Sequence, residues 1–182
     1  KTSSSRSRMA IKIHTCTEPI VSSTESNELC DLIVNEDWMA VESMLQSNPQ
    51  SAQKWSETCY SQNNNDEQQI THFLPIHLMC SRQPPKTAVE SIIRAYPMGV
   101  YARESNFNRL PLHIACMTDA SPDVIKLLIC EYMDGTITQD RRGRLPLDYA
   151  QMRAAPSKVI KALVKAEMVC VFQRKSNRIM RR

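Results

Sequence analysis

A string of four residues recurs in this sequence at a fixed interval, and it constrains the fold more than any other feature. Leu74-Pro75-Ile76-His77 returns as Leu110-Pro111-Leu112-His113 and again as Leu145-Pro146-Leu147-Asp148. The spacings are 36 and 35 residues. A second string keeps the same phase. Val89-Glu90-Ser91-Ile92-Ile93 is followed 35 residues later by Val124-Ile125-Lys126-Leu127-Leu128, and 35 after that by Val159-Ile160-Lys161-Ala162-Leu163. Two independent strings in one register define a repeat of one supersecondary unit, and such units bury their apolar faces by stacking on one another.

Each unit reads as two helices. Proline in the first string suits the first helical turn, where its missing N–H has no intrahelical partner to lose. Start signals mark the second helix: Thr87-x-x-Glu90 has the spacing of a capping box, and Ser121-Pro122 that of an N-cap followed by Pro at N1. Val124, Leu127 and Leu128 fall on one helical stripe and predict a buried face. The second helices are expected to end near Tyr96-Pro97 and Met133-Asp134-Gly135. The stretches 29–34 and 37–45 read as a degenerate first helix pair. Asn48-Pro49 stands there where later units have Tyr96-Pro97. Between units one and two lies an insertion near 56–69, rich in Asn and Gln, expected to form a long loop.

These strings resemble the ankyrin-repeat family, whose period is near 33 and whose first helix opens with T-P-L-H-x-A. Here Leu replaces the threonine. The family's D-x-x-G turn is matched by Asp140-Arg141-Arg142-Gly143. At the glycine position the other units carry Asn108 and His72, residue types enriched at positive φ. The resemblance implies an all-α solenoid of stacked helix pairs joined by short turns. It covers about four repeats over residues 26–172, between a polar extension at 1–25 and a basic tail at 173–182. It also implies that His77 and His113 hydrogen-bond within the turn region.

The family binds partners through its turn tips and the exposed side of its first helices. Carried over position by position, this implicates Phe73 and Arg82 in unit two, together with Thr71 and Ser81. Unit three contributes Asn106, Phe107, Arg109, Met117 and Thr118. Unit four contributes Arg141, Arg142, Arg144, Met152 and Arg153. Six of these are arginines and none is acidic. Arginine with aromatic and Met side chains is the composition of interface cores. It is also that of an ordinary solvated basic face. The four apolar residues, Phe73, Phe107, Met117 and Met152, are expected to be exposed.

Charge supports this placement. Val21 to Gln69 holds nine acidic residues and one lysine, whereas Tyr101 to the end holds 15 basic and eight acidic residues. The tail alone, Gln173 to Arg182, carries five basic residues. The expected function is a non-enzymatic interaction module, an accessory or assembly subunit of a hetero-complex that grips an acidic protein surface through its late repeats. The alternative is association with RNA or a ribonucleoprotein through the basic half.

Nothing in the sequence marks a catalytic, cofactor or metal site: P-loop, GxGxxG, GxSxG and HExxH patterns are missing. His77/Cys80 and His113/Cys116 are each three apart and share a helix face, but they recur because the repeat recurs, and core packing is the simpler account. His14 and Cys16 are too isolated for a four-ligand zinc site. Seven scattered cysteines without CxxC fit reduced thiols in the cytoplasm or an organelle interior. The opening Lys1-Thr2-Ser3-Ser4-Ser5-Arg6 has the composition of a transit-peptide remnant, or of a plain polar terminus. Met168 to Phe172 is the longest apolar run, too short to span a membrane and too apolar for the outer face of a last repeat.

Overall fold

The structure is a computed structural model that describes residues 28–61 and 68–179. The extension at 1–25, with His14 and Cys16, lies outside them. Among the described residues eight α-helices form four consecutive pairs. These are α1 (Glu28–Val34) with α2 (Trp38–Ser47), α3 (Pro75–Cys80) with α4 (Lys86–Ala95), α5 (Pro111–Met117) with α6 (Pro122–Glu131), and α7 (Pro146–Met152) with α8 (Ser157–Ile179). First helices pack in the order α1, α3, α5, α7, and second helices in the order α2, α4, α6, α8. The chain is thus two layers of helices, mostly helical as the sequence predicts.

The insertion is not a loop throughout. Ser56–Ser61 (β1) and Gln68–Phe73 (β2) pair antiparallel, with Ser56 opposite Phe73 and Ser61 opposite Gln68. Threonine, tyrosine and isoleucine in these strands favour an extended backbone, a preference that the Asn/Gln-rich composition hides. The hairpin also explains why His72 does not adopt positive φ, as its position in the turn pattern predicts: it is a strand residue paired with Glu57. Asn108 (φ 59°) and Gly143 (φ 73°) do adopt it.

The first helices share one mode of initiation. Leu74, Leu110 and Leu145 occupy the N-cap in extended backbone, and a leucine side chain cannot accept a hydrogen bond. Instead the side chain at the third helical position reaches back to the N-cap N–H. His77 Nδ1 accepts from Leu74 N at 3.1 Å, His113 Nδ1 from Leu110 N at 3.1 Å, and Asp148 Oδ2 from Leu145 N at 2.7 Å. Leu74 and Leu110 are thereby free to enter the core, where both are buried. The first helices end in left-handed residues: Glu36, Gln83, Asp119 and Ala154 have φ between 52° and 58°. None is glycine, so the sequence gives no sign of them.

Second helices begin less uniformly. Ser121 caps α6 as predicted, its hydroxyl accepting from Val124 N at 3.3 Å. The capping box at Thr87 and Glu90 does not form. Pro85, fixed at φ −66° and ψ 152°, is the N-cap of α4, so the helix starts at Lys86 and Thr87 is already inside it. Glu90 pairs with Lys86 at 2.8 Å instead. The buried stripe of α6 is Val124, Ile125, Leu128 and Ile129, with Leu127 half-buried at its edge. Gly135 is not a helix cap but lies in a 3-10 turn at Met133–Ile137, where a Cβ would stand 3.0 Å from the Tyr132 ring. Helix α8 continues through Ile179, so the expected boundary between repeats and tail at 172/173 lies within a helix.

Candidate functional site: the turn tips and first-helix ends of the late units

Two carboxylates organise the turns that carry most of the predicted site. Glu104 accepts from the backbone N–H groups of Asn106 (2.7 Å), Phe107 (2.9 Å) and Arg109 (3.2 Å). Asp140 accepts from Arg142 N (2.8 Å) and Arg144 N (3.0 Å) through one oxygen and from the Tyr149 hydroxyl (2.6 Å) through the other. The residues from Glu104 to Leu110 number one more than those from Asp140 to Leu145. The longer turn is spanned by the carboxylate with one more methylene. Burial pushes the Asp140 carboxyl up, but the bonds from Tyr149, Arg144 and Arg142 outweigh it, and its pKa lies below the ordinary value.

Neighbouring turns are tied to one another. Ser105 N donates to His72 O at 3.0 Å, and His72 N donates to Ser105 Oγ at 2.8 Å. One unit further on, Arg141 N donates to Phe107 O at 2.7 Å, and the Arg141 guanidinium donates to Asn106 O at 2.5 Å. The tips therefore form a continuous rail running from β2 to the fourth unit.

On this rail the structure brings Phe107, Arg109, Arg142, Arg144 and Tyr149 together. The guanidinium carbons of Arg109 and Arg142 each stand 4.2 Å from the Phe107 ring centre. Those of Arg109 and Arg144 stand 5.4 Å and 5.6 Å from the Tyr149 ring centre. Such contacts contribute roughly 0.5–1 kcal/mol each at partly exposed sites and hold arginine forks in fixed orientations. Tyr149 is not among the predicted site residues. Its place four residues after Leu145, on the inner side of α7, was the available signal.

The predicted residues do not all face solvent. Arg141, Arg142, Met152 and Arg153 are exposed, Met152 by 64%. Arg82, Phe107, Arg109 and Arg144 are partly covered. Asn106 is buried, because its N–H is turned to Glu104 and its carbonyl to Arg141. Phe73 and Met117, expected to be exposed, pack against the core. Phe73 ends β2 directly before α3, and Met117 is the last residue of α5. Thr71 is buried. Ser81 and Thr118 turn their hydroxyls to backbone carbonyls, Ser81 to Leu78 O at 2.7 Å and Thr118 to Cys80 O at 2.8 Å.

Nor are the arginines without acids. Arg109 Nε lies 3.7 Å from Asp140 Oδ2 with its side chain only 12% exposed, and Arg153 lies 3.4 Å from Asp119. On the fourth turn the outward positive charge is carried by exposed Arg141 and Arg142, with partly covered Arg144 beside them.

The His/Cys pairs have the electrostatics of a core. His77 Nε2 lies 3.0 Å from Ala102 O, and His113 Nε2 lies 3.0 Å from Thr138 O. Since Nδ1 of each accepts a backbone N–H, the proton sits on Nε2 and is donated to these carbonyls. Burial pushes both imidazoles down to about 4. Burial also pushes the Cys80 thiol up to about 12, and the Cys116 thiol upward as well. A nucleophilic pair needs the reverse, a thiolate beside an imidazolium. Among the described residues no group of three or more His, Cys, Asp or Glu could hold a metal ion. No helix among them is long and apolar enough to cross a membrane.

No protein-family model matches the chain, and the search of curated proteins found no significant match.

Proposed function

We propose that the chain is an ankyrin-type repeat array acting as a protein-interaction module, with the turn rail of its third and fourth units as the binding surface. The observation that carries this reading is the set of cations Arg141, Arg142 and Arg144 on the fourth-unit turn, which buried Asp140 stiffens, beside the third-unit turn that buried Glu104 stiffens. Arginine forks held over aromatic rings are ordered before they bind, so less side-chain freedom is lost on contact. Their geometry matches carboxylates, and the favoured partner is an acidic protein surface. The ankyrin reading itself rests on the L-P-L-H and D-x-x-G strings, the four helix pairs and the ordered stacking of their two layers. An accessory or assembly role in a hetero-complex is the role such a surface would serve.

RNA remains the second reading, carried by the net positive charge of the late units. The Phe107 ring argues against it. Base stacking needs a free aromatic face, and this ring already has two guanidinium groups at 4.2 Å.

The experiment is native purification of the tagged chain from its own cells, with and without nuclease, beside the Arg141→Ala/Arg142→Ala/Arg144→Ala variant. Proteins that survive nuclease and are lost with the variant support the reading. Partners retained by the variant would overturn the assignment of this surface, and partners lost on nuclease treatment would move RNA to first place.

A further inference from the structure

The last helix is apolar on two sides. One side, made of Val159, Leu163, Ala166 and Cys170, is buried against the array, where α8 contacts α6, α7 and the 133–137 turn. The other side carries Val164, Met168, Val171 and Phe172, which are 37%, 69%, 44% and 72% exposed. These residues follow one another at intervals of four, three and one, so they form a stripe one helix wide. Ile160, Val164 and Met168 on one row of the helix, and Lys161, Lys165 and Val169 on the next, line a shallow open depression of about 440 Å³. Lys175 continues the cationic edge beyond Phe172, and Arg174 pairs with Asp134 at 3.4 Å. Glu167 is the one acidic residue of α8, and one of its carboxyl oxygens is buried.

The array itself indicates what fits such a face. In the second layer, α4 lies between α2 and α6, and α6 between α4 and α8. Every inner second helix is covered on both sides by another helix. Among the described residues α8 has such a neighbour on one side only. Charge selects which helix would suit. Residues 1–27 of the chain hold four basic and two acidic residues, so like charge disfavours them. The outer side of α2 carries acidic Glu42 but offers Ser43 and Gln46 beside Met39, too little apolar surface to cover the stripe.

We propose that the outer face of α8 docks an amphipathic helix of a partner protein, whose apolar stripe is edged by Glu or Asp. The incoming helix would add one more layer to the array, its apolar side chains entering the depression and its carboxylates meeting Lys161, Lys165 and Lys175. This surface is separate from the turn rail and does not depend on it.

The probe is a labelled synthetic helix of roughly three heptads with Leu at the seam and Glu at its edges, titrated against the full chain at low salt by fluorescence anisotropy. Saturable binding is expected, weakened at least about tenfold by Met168→Glu/Phe172→Glu, which alters exposed side chains and leaves the fold intact by circular dichroism. The Lys161→Glu/Lys165→Glu variant should lose the Glu-edged helix and gain a Lys-edged one, which no general loss of folding would produce. Absence of peptide binding, equal binding by Met168→Glu/Phe172→Glu, or equal affinity for both peptides would overturn the proposal. So would binding to phosphatidylserine vesicles without peptide binding, or self-association of the chain that Met168→Glu abolishes.

Discussion

Protonation of buried His77 and His113 is expected to make the array acid-sensitive, and the size of the effect follows from their surroundings. His77 and His113 are 2% and 0% exposed, and burial holds both near 4. His113 also faces Asp140, which favours its charged form, and Arg103, which opposes it. In the unfolded chain an imidazole titrates near 6.5. The folded pKa is therefore depressed for a base. Protonation favours the unfolded state, and stability is fully present above about 6.5 and lost as pH falls towards 4. At pH 5 each unfolded histidine gains roughly 2 kcal/mol from protonation that its folded counterpart does not. Two such sites remove roughly 4 kcal/mol, a large fraction of the ~5–15 kcal/mol typical of a domain.

The assay is urea unfolding followed by circular dichroism at pH 7 and pH 5. The control is His77→Asn/His113→Asn. Asn is the neutral counterpart of Asp148, which already reaches its N-cap N–H from the same helical position. The variant should keep the cap, lose the bonds to Ala102 and Thr138, and be less stable at pH 7 by roughly 1–3 kcal/mol per site. Between pH 7 and 5 its stability should then fall by roughly 4 kcal/mol less than that of the wild type, because the two buried imidazoles are gone while the other titratable groups are common to both proteins. A wild-type stability unchanged over this interval, or an equal fall in the variant, would refute the reasoning.

Three further perturbations probe the packing and the turns. Leu128→Ala should cost roughly 2–5 kcal/mol in denaturant unfolding, because the side chain is 2% exposed, and half-buried Leu127→Ala clearly less; equal losses would misplace the core face of α6. Asp140→Asn should lower the melting temperature by an amount corresponding to roughly 1–3 kcal/mol, since an amide oxygen replaces a carboxylate that accepts three bonds beside Arg109; an unshifted transition would remove Asp140 as organiser of the turn. Ala154→Gly should stabilise by up to about 1 kcal/mol, because Ala154 is exposed at φ 52° and glycine carries no Cβ to strain there; a lower melting temperature would contradict the left-handed assignment.

The helix pairs were legible because stacking forces the same residues into the same positions every 35 or 36 residues. Periodic burial leaves periodic sequence, as at Val89, Val124 and Val159, all fully or nearly fully buried. Features without a periodic requirement were not. The hairpin joins strands across an insertion that has no counterpart in the other units, so nothing in the repeat predicts its pairing. The left-handed residues that end the first helices recur in space, yet Glu36, Gln83, Asp119 and Ala154 are four different residue types and none is glycine, because a fixed backbone tolerates a strained residue at roughly 1 kcal/mol. Of the candidate surface, the arginines of the fourth unit were visible from their offset to Leu145. The burial of Asn106, Phe73 and Met117 was not, since it depends on which neighbour covers each turn.

The turns separate what folds the chain from what it presents. In units three and four the buried groups are acids and backbone: Glu104 and Asp140 fix the path of the chain through N–H groups, which every residue in the turn supplies regardless of its side chain. The side chains between these fixed points are therefore free to differ, and they do: Ser105-Asn106-Phe107-Asn108 in one turn and Arg141-Arg142-Gly143 in the next. The positive-φ site constrains them, with Asn108 and Gly143, as do the bonds between turns made by Ser105 and Arg141. A scaffold built this way can place cations on one turn and an aromatic ring on its neighbour without altering the core, and the Phe107–Arg142 contact is the result. The same separation is absent at α8, where one helix must satisfy the core with one face and still expose Met168 and Phe172 on the other. Apolar side chains held outward there add little to the stability of the array, and they, rather than the buried acids of the turns, carry the docking proposal.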